Sequence, residues 1–474
     1  MMTLSCDVAI IGAGTAGMAA YRAAQVHTDR LLLIEAAHYG TTCARVGCMP
    51  SKLLIAAADA AHGVREAHRF GVRAEAPRID GVAVMQRVRS ERDRFVGFVV
   101  DTVHGWPDAT RLSGRARFTG TGTLDVGGQR VEARAVVIAT GSRPRLPAGW
   151  RERLGNRLIV NDDVFDWTDL PASVAVYGAG VIGLELALAL HRLGVRVRLF
   201  ARGPRVGPLS DPALQALAAE LFAEELPLTL NAGELDPVRV NDQVLVGGEH
   251  FDLLLCAAGR EPALDGLGLD TLGLPRDAAG QPQVDRHTGQ WGRSAVFMAG
   301  DATDDRPLLH EASDSGRIAG DNAARWPDVH HRPRRTPLGI VFSDPQMAVA
   351  GASHAELTAA GTAFDTGRVS FADQGRSRVM RVNRGGLHVY AERGTGRLLG
   401  AEMIGPAAEH IGHLLAWSVQ RGDTVRQMLD FPFYHPVVEE GLRTALRQLH
   451  SDLHLPAPPI ERCMDCDTTA EAGA

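Results

Sequence analysis

Two stretches of this chain share one pattern of apolar and polar positions. Residues 7–36, DVAIIGAGTAGMAAYRAAQVHTDRLLLIEA, open on a short apolar run, break at glycines, pass through an alanine-rich stretch and close on a second apolar run. Residues 173–202, SVAVYGAGVIGLELALALHRLGVRVRLFAR, repeat that order. Short apolar runs bounded by glycine read as buried strands, and the alanine- and leucine-rich segments between them as helices. Each stretch therefore predicts strand, turn, helix, strand. The break is G-x-G-x-x-G both times: Gly12, Gly14 and Gly17, then Gly178, Gly180 and Gly183. In that setting the glycines permit a tight turn and close approach of backbone to a pyrophosphate, with the helix N-terminus facing the phosphates. One such fingerprint is weak evidence. Two in the same context predict two dinucleotide-binding units.

The copies differ where the ribose would lie. Twenty-three residues after Gly12 stands Glu35, an acid able to accept a hydrogen bond from a ribose hydroxyl; twenty-three after Gly178 stands Ala201, followed by Arg202 and Arg205. An acid suits an unphosphorylated ribose and arginine suits a 2′-phosphate. The first site is thus expected to take FAD and the second NADPH, with NADH left open.

Elsewhere the pattern is coarser. Arg134–Gly141 reads as a strand ending in a small-residue turn, preceded by what read as short strands and hairpins. Leu253–Cys256 closes the second unit, and Ala295–Asp301 is a buried strand ending in an acid, followed by a helix over Leu309–Ala324. Strands around Leu338–Phe342, Gly386–Glu392 and Leu398–Ile404 alternate with helical stretches, and beyond Ser451 a proline-rich acidic sequence reads as a flexible tail. The fold class expected is α/β, with two Rossmann-type dinucleotide-binding domains and a C-terminal α+β dimerisation domain. Its segments are 1–149 and 264–333 for the first domain, 150–263 for the second, 334–450 for the third and 451–474 for the tail.

Composition narrows the function. A formal net charge of -6 argues against a nucleic-acid partner, and no apolar run reaches membrane-spanning length, so a cytoplasmic protein is expected. Six cysteines in 474 residues do not make a disulfide scaffold. Cys6 and Cys256 fall in apolar strands and read as buried small hydrophobes. Of fifty basic residues only Lys52 is a lysine, four positions after Cys48. A compact charge on a flexible stem at that one place is not interchangeable with arginine.

Cys43-Ala-Arg-Val-Gly-Cys48 runs into Met-Pro-Ser-Lys52 and an apolar helical stretch, Leu53–Ala61. Two cysteines at the head of a helix can close a small ring, and the helix dipole favours a reactive thiolate there. Zinc binding is the rival reading, but no second cysteine pair or histidine spacing accompanies it.

With these motifs the sequence, over about residues 5–450, resembles the pyridine nucleotide-disulfide oxidoreductases, among them dihydrolipoamide dehydrogenase, glutathione reductase and mercuric reductase. The resemblance implies roles residue by residue. Cys48 matches the cysteine lying against the flavin and Cys43 the one that exchanges with substrate. Lys52 matches the lysine near flavin N5, and Glu185 its ion-pair partner. Asp301 matches the acid that holds the ribityl chain; Gly141 and Gly259 fall in the turns that follow the closing strands. His435 and Glu440, in HPVVEE, match an acid–base histidine supplied by the other subunit and the glutamate that orients it, which implies a homodimer. A small-molecule or protein disulfide is the expected substrate, with dihydrolipoyl dehydrogenase the nearest match. Arg22 and Arg317 fall where glutathione reductase holds glutathione. Cys463 and Cys466, spaced C-x2-C, suggest by analogy with the C-terminal dithiols of mercuric reductases and large thioredoxin reductases a tail dithiol relaying electrons, with a metal site or a tail without function as the alternatives. A transhydrogenase or a non-catalytic flavin protein is the alternative of another class, against which the intact cysteine pair argues.

Overall fold

The computed structural model describes residues 3–454. Strand β1 (Leu4–Ile11) pairs in parallel with β2 (Leu31–Glu35) on one side and with Gln129–Ile138 on the other. Val8, Ala9 and Ile10 have no exposed surface, as a central strand covered on both faces requires. Helix α1 (Thr15–Gln25) crosses between β1 and β2 and packs on the helix Leu309–Arg325. Small residues at the crossing, Ala16 and Ala20 against Gly316 and Gly320, let the two backbones touch.

The second unit repeats this plan within the first. The chain leaves through Ser142–Pro144 and returns through Arg260–Pro262, two segments paired antiparallel. Between them, Ser173–Tyr177, Arg196–Phe200, Leu253–Cys256, Leu158–Val160 and Leu228–Thr229 form a parallel sheet. After the return, Val296–Met298 joins the first sheet beside Gln129–Ile138. A third, antiparallel sheet orders Leu338–Val341, Gln346–Gly351, Leu398–Gly405, Gly386–Glu392 and Phe364–Ser370, with helices Ala408–Arg421 and Glu440–Asp452 packed on it.

Buried polar groups clasp the second unit to this third sheet. Asp211 caps the helix Pro212–Ala223 by accepting the Ala213 and Leu214 N–H groups, and its other oxygen pairs with His388 at 2.8 Å. Glu402, wholly buried, accepts from the Ser210, Asp211 and His354 amides.

The region before Arg134 departs from expectation. Short strands do lie at Arg111–Ser113, Ala116–Gly120 and Thr123–Val126, and the helical stretch over Leu53–Ala61 is part of α3 (Cys48–Glu66), but α2 (Thr42–Val46) and α4 (Gly81–His104) also precede them. The 24-residue α4 starts at an Asp80 cap, yet among its residues only Met85, Val88 and Val103 are buried. So narrow an apolar stripe on an arginine-rich helix leaves little periodic signal to read.

Candidate active site

The two cysteines come together because the chain doubles back between two helices. Cys43 lies in α2, whose first turn is capped by Thr41, and Cys48 opens α3. A Cβ on the intervening Gly47 would meet the Thr42 carbonyl oxygen at 2.9 Å and Cys43 Cα at 3.1 Å, so glycine permits the tight join. Both are free thiols here, Cys43 half-buried and Cys48 exposed, and a hydrogen bond links the two sulfurs. That bond separates their acidities. Donation from Cys43, followed by the nearby charge of Lys52, outweighs desolvation and pulls Cys48 down to about 7. The same bond and burial push Cys43 far above an ordinary thiol. Both shifts favour keeping the shared proton on Cys43 and the negative charge on Cys48, at the N-terminus of a long helix that stabilises an anion.

Lys52, one turn along α3, donates from Nζ to Glu185 Oε2 at 2.7 Å. Glu185 is buried, and it comes from the second unit, on the helix Val181–Arg192 directly after the glycine turn. Its other oxygen accepts the Phe342 amide N–H at 2.8 Å, and the Lys52 ammonium stands 4.6 Å from the centroid of the Phe342 ring. Three units thus meet at this lysine. Phe342 was not singled out in the sequence, where an apolar residue at the end of a strand carries no chemical signal of its own.

The two glycine turns share one geometry. Gly12 and Gly178 have φ of +103° and +113°, and a Cβ on either would strike the carbonyl oxygen of Ala139 or Ala257. A Cβ on Gly17 or Gly183 would lie 1.8 Å from the oxygen of Gly12 or Gly178. At Gly14 and Gly180 a Cβ would meet nothing within 4 Å, so the turn is open on the side where a pyrophosphate approaches. Gly141 and Gly259 occupy matching turns after the next strand of each sheet, with φ of +71° and +104°.

The first unit fits FAD. Glu35, at the tip of β2, accepts the Ala13 N–H at 2.8 Å and the Ala37 N–H at 3.0 Å, which fixes the carboxylate beside the turn. Asp301 follows Val296–Met298 and accepts from Ser142 Oγ at 2.7 Å; Arg260 in turn donates to Ser142 Oγ at 2.9 Å. All lie beyond the C-terminal ends of parallel strands, where such folds bind ligands. In the second unit the buried Ala201 leaves the corresponding position without an acid, and Arg202 and Arg205 are exposed beside it. Arg202 pairs with Glu234 at 3.2 Å.

His435 lies 3.1 Å from Glu440 Oε1 through Nδ1, and Glu440 also accepts the Val437 N–H. The imidazole is 58% exposed, so its far nitrogen faces outward from this chain. Arg22 stands over the Trp106 ring and Arg317 pairs with Asp314, each engaged within the chain. Cys6 and Cys256 are buried. Cys463 and Cys466 lie outside the described residues. Among the described residues no helix is long and apolar enough to cross a membrane.

The pyridine nucleotide-disulphide oxidoreductase model matches residues 6–316, and the dimerisation-domain model of that name matches residues 338–446. Mercuric reductase from Streptomyces lividans is 31% identical, the match covering 94% of this chain and 97% of the relative. Dihydrolipoyl dehydrogenase from Thermus scotoductus is 30% identical over the same shares. Among solved structures, LpdA from Mycobacterium tuberculosis superposes with a TM-score of 0.78 at 25% identity, covering 94% of this chain and 99% of that one. A Cu(II) complex of the flavoprotein disulfide reductase RclA from Escherichia coli, at 22% identity and a TM-score of 0.78, shares the fold. The chain belongs to the pyridine nucleotide-disulphide oxidoreductases, as an FAD-dependent disulfide oxidoreductase that carries the family's dimerisation domain.

Proposed function

We propose that the chain, as a cytoplasmic homodimer, uses NADPH in preference to NADH to reduce a disulfide or an equivalent two-electron acceptor through Cys43 and Cys48. The observation that carries this reading is the pair of free thiols that the tight join at Gly47 brings together at the head of α3, with the Lys52–Glu185 ion pair one turn away. Bound FAD supplies the two-electron carrier between nicotinamide and dithiol. Glu35 and Asp301 would hold its ribose and ribityl hydroxyls, and the Lys52 cation, aimed by Glu185, would favour negative charge on its reduced ring. Arg202 and Arg205 would receive the 2′-phosphate of NADPH.

The thiols divide the remaining work. His435 of the partner subunit, oriented by Glu440, takes the Cys43 proton, and the resulting thiolate attacks one sulfur of a substrate disulfide. The substrate S–S bond breaks and its first thiolate leaves, protonated by that histidine. Cys48 thiolate then attacks the Cys43 sulfur of the mixed disulfide, closing the Cys43–Cys48 bond and releasing the second thiolate, which takes its proton from water. Histidine suits this exchange because its ordinary pKa lies near neutrality. In a dihydrolipoyl dehydrogenase direction the same steps run backwards.

A second reading is favoured by the mercuric reductase relatives and by Cys463 and Cys466: the tail dithiol takes electrons from Cys43 and passes them to a metal ion or protein substrate. Since the last helix runs to Asp452, the deletion that tests this removes residues 455–474.

The testing experiment is steady-state turnover of lipoamide, glutathione disulfide and mercuric ion with NADPH or NADH, in the wild type, Cys43→Ser and the 455–474 deletion. The proposal expects NADPH to give the higher kcat/KM and Cys43→Ser to abolish turnover of disulfides. The relay expects the deletion to slow mercuric ion while sparing lipoamide. A wild-type preference for NADH, or turnover surviving in Cys43→Ser, would overturn the respective assignment.

A further inference from the structure

The second unit lacks an acid at the tip of its second strand, but the fold returns one to the same neighbourhood from another segment. Residues 231–233 lie along 201–203: the Ala232 N–H donates to Ala201 O at 2.9 Å, Gly233 N–H to Arg202 O at 3.2 Å and Asn231 N–H to Gly203 O at 3.0 Å. The Tyr177 hydroxyl, one residue before Gly178, donates to Gly233 O at 3.3 Å and so ties this loop to the glycine turn. Glu234 follows at once, and its carboxylate lies 3.2 Å from the Arg202 guanidinium.

From this placement, and resting on the reading of Arg202 as a 2′-phosphate ligand, we infer that Glu234 is a specificity-determining residue of the second nucleotide site. It occupies Arg202 in the absence of a 2′-phosphate and opposes the phosphate when it arrives. Both side chains are largely exposed, at 74% and 84%, so the ion pair contributes little to stability. Its consequence is electrostatic. A dianionic phosphate bidding for Arg202 must displace a carboxylate or share the guanidinium with it, and either weakens the preference that Arg202 alone would give. Ala201 removes the acid that selects an unphosphorylated ribose, and Glu234 restores part of that selection from the neighbouring loop. The product is a tempered preference and not an exclusive one. Discrimination built from one attractive and one repulsive element is an ordinary route to specificity.

The test is calorimetric, on the FAD-loaded enzyme at low ionic strength, with 2′,5′-ADP and 5′-ADP as probes. Glu234→Gln keeps the size of the side chain and removes only its charge. It is expected to tighten 2′,5′-ADP by about 3- to 10-fold, the scale of a charge repulsion across a few ångströms of solvent, while 5′-ADP changes less than about twofold. In an Arg202→Ala background the gain should shrink, because the contested group is gone. If Arg202→Ala weakens 2′,5′-ADP but Glu234→Gln leaves it unchanged or weaker, Glu234 has no part in specificity and the phosphate site stands. If the wild type binds both probes alike and Arg202→Ala alters neither, the phosphate site itself is wrong and the inference falls with it.

Discussion

The two dinucleotide units are the same backbone put to different uses. Gly12 and Gly178 adopt the same positive φ against the same kind of carbonyl, and Gly17 and Gly183 press equally closely on the residue five before them. What differs is carried by side chains. The first unit ends its second strand in Glu35, locked to its own turn by two N–H groups; the second ends in a buried alanine with Arg202 and Glu234 outside it. The first unit sends its chain out into the dithiol helices. The second sends one side chain, Glu185, back to the lysine on those helices. A repeated fold thus fixes where a pyrophosphate can sit, while ligand and chemistry are decided by a few positions around it. The second unit is also a structural part of the first unit's active centre.

The strongest way to break this comparison is to close one turn at a time. Gly14 and Gly180 have room for a side chain, so Gly14→Asp and Gly180→Asp should both fold, each placing a carboxylate where a pyrophosphate would lie. Gly14→Asp is expected to be isolated without FAD. Gly180→Asp should retain FAD and lose about 100-fold or more in kcat/KM for NADPH, in line with a close like-charge clash worth a few kcal/mol. Flavin content and reduction by NADPH check both. A Gly14→Asp protein that keeps its flavin would reverse the assignment of the units.

The second unit is also distinguished by its clasp to the C-terminal sheet. Burial raises the Asp211 pKa, but the hydrogen bond and charge of His388, with two helix N–H groups, outweigh it and hold it at about 2. A folded value below the unfolded one contributes stability that is present above about pH 4 and is lost as pH falls toward 2. Asp211→Ala should cost ~2 kcal/mol near neutrality through the lost cap and an unpaired His388, and denaturation curves should show the gap to wild type closing in acid. A gap that persists undiminished at pH 2 would remove the charge from the account.

A finer test concerns the contact between the units. Lys52→Met should raise the Cys48 pKa from about 7 by about one unit, since a cation in the same turn favours the thiolate. Alkylation of the reduced enzyme by iodoacetamide should then titrate correspondingly higher. The Cys48 thiolate is present above its pKa and lost below it, so the variant's reactivity near pH 7 should drop several-fold. An unchanged profile would mean that the Cys43 hydrogen bond alone sets the acidity.

Much of this was legible in the sequence because the signals were local. The helix Val181–Arg192 and the strands Ser173–Tyr177 and Gly386–Glu392 lie where their patterns place them, since strands buried along nearly their whole length and glycine turns leave dense apolar runs. Helix α4 was missed because its apolar stripe is narrow, and Gln346–Gly351 and Phe364–Ser370 because the alanine-rich sequence between Phe342 and Gly386 reads as helical. At the site, Cys43, Cys48 and Lys52 stand within ten residues of each other, and motif spacing suffices to find them. The contacts of Phe342 with Glu185 and Lys52, of Ser142 with Asp301, and of Glu234 with Arg202 join segments far apart in the chain. No residue type at those positions announces its partner, so only the fold reveals them.

The central claim is that Cys48 holds the thiolate at the flavin while Cys43 meets the substrate, and anaerobic titration with one equivalent of NADPH tests it most directly. The wild type should reach a two-electron state in which flavin absorbance persists and a new long-wavelength band appears. Cys43→Ser should display that band without reductant, and Cys48→Ser should lack it throughout. Flavin that bleaches directly with one equivalent and no such band, or a band that follows Cys43 in place of Cys48, would contradict the account.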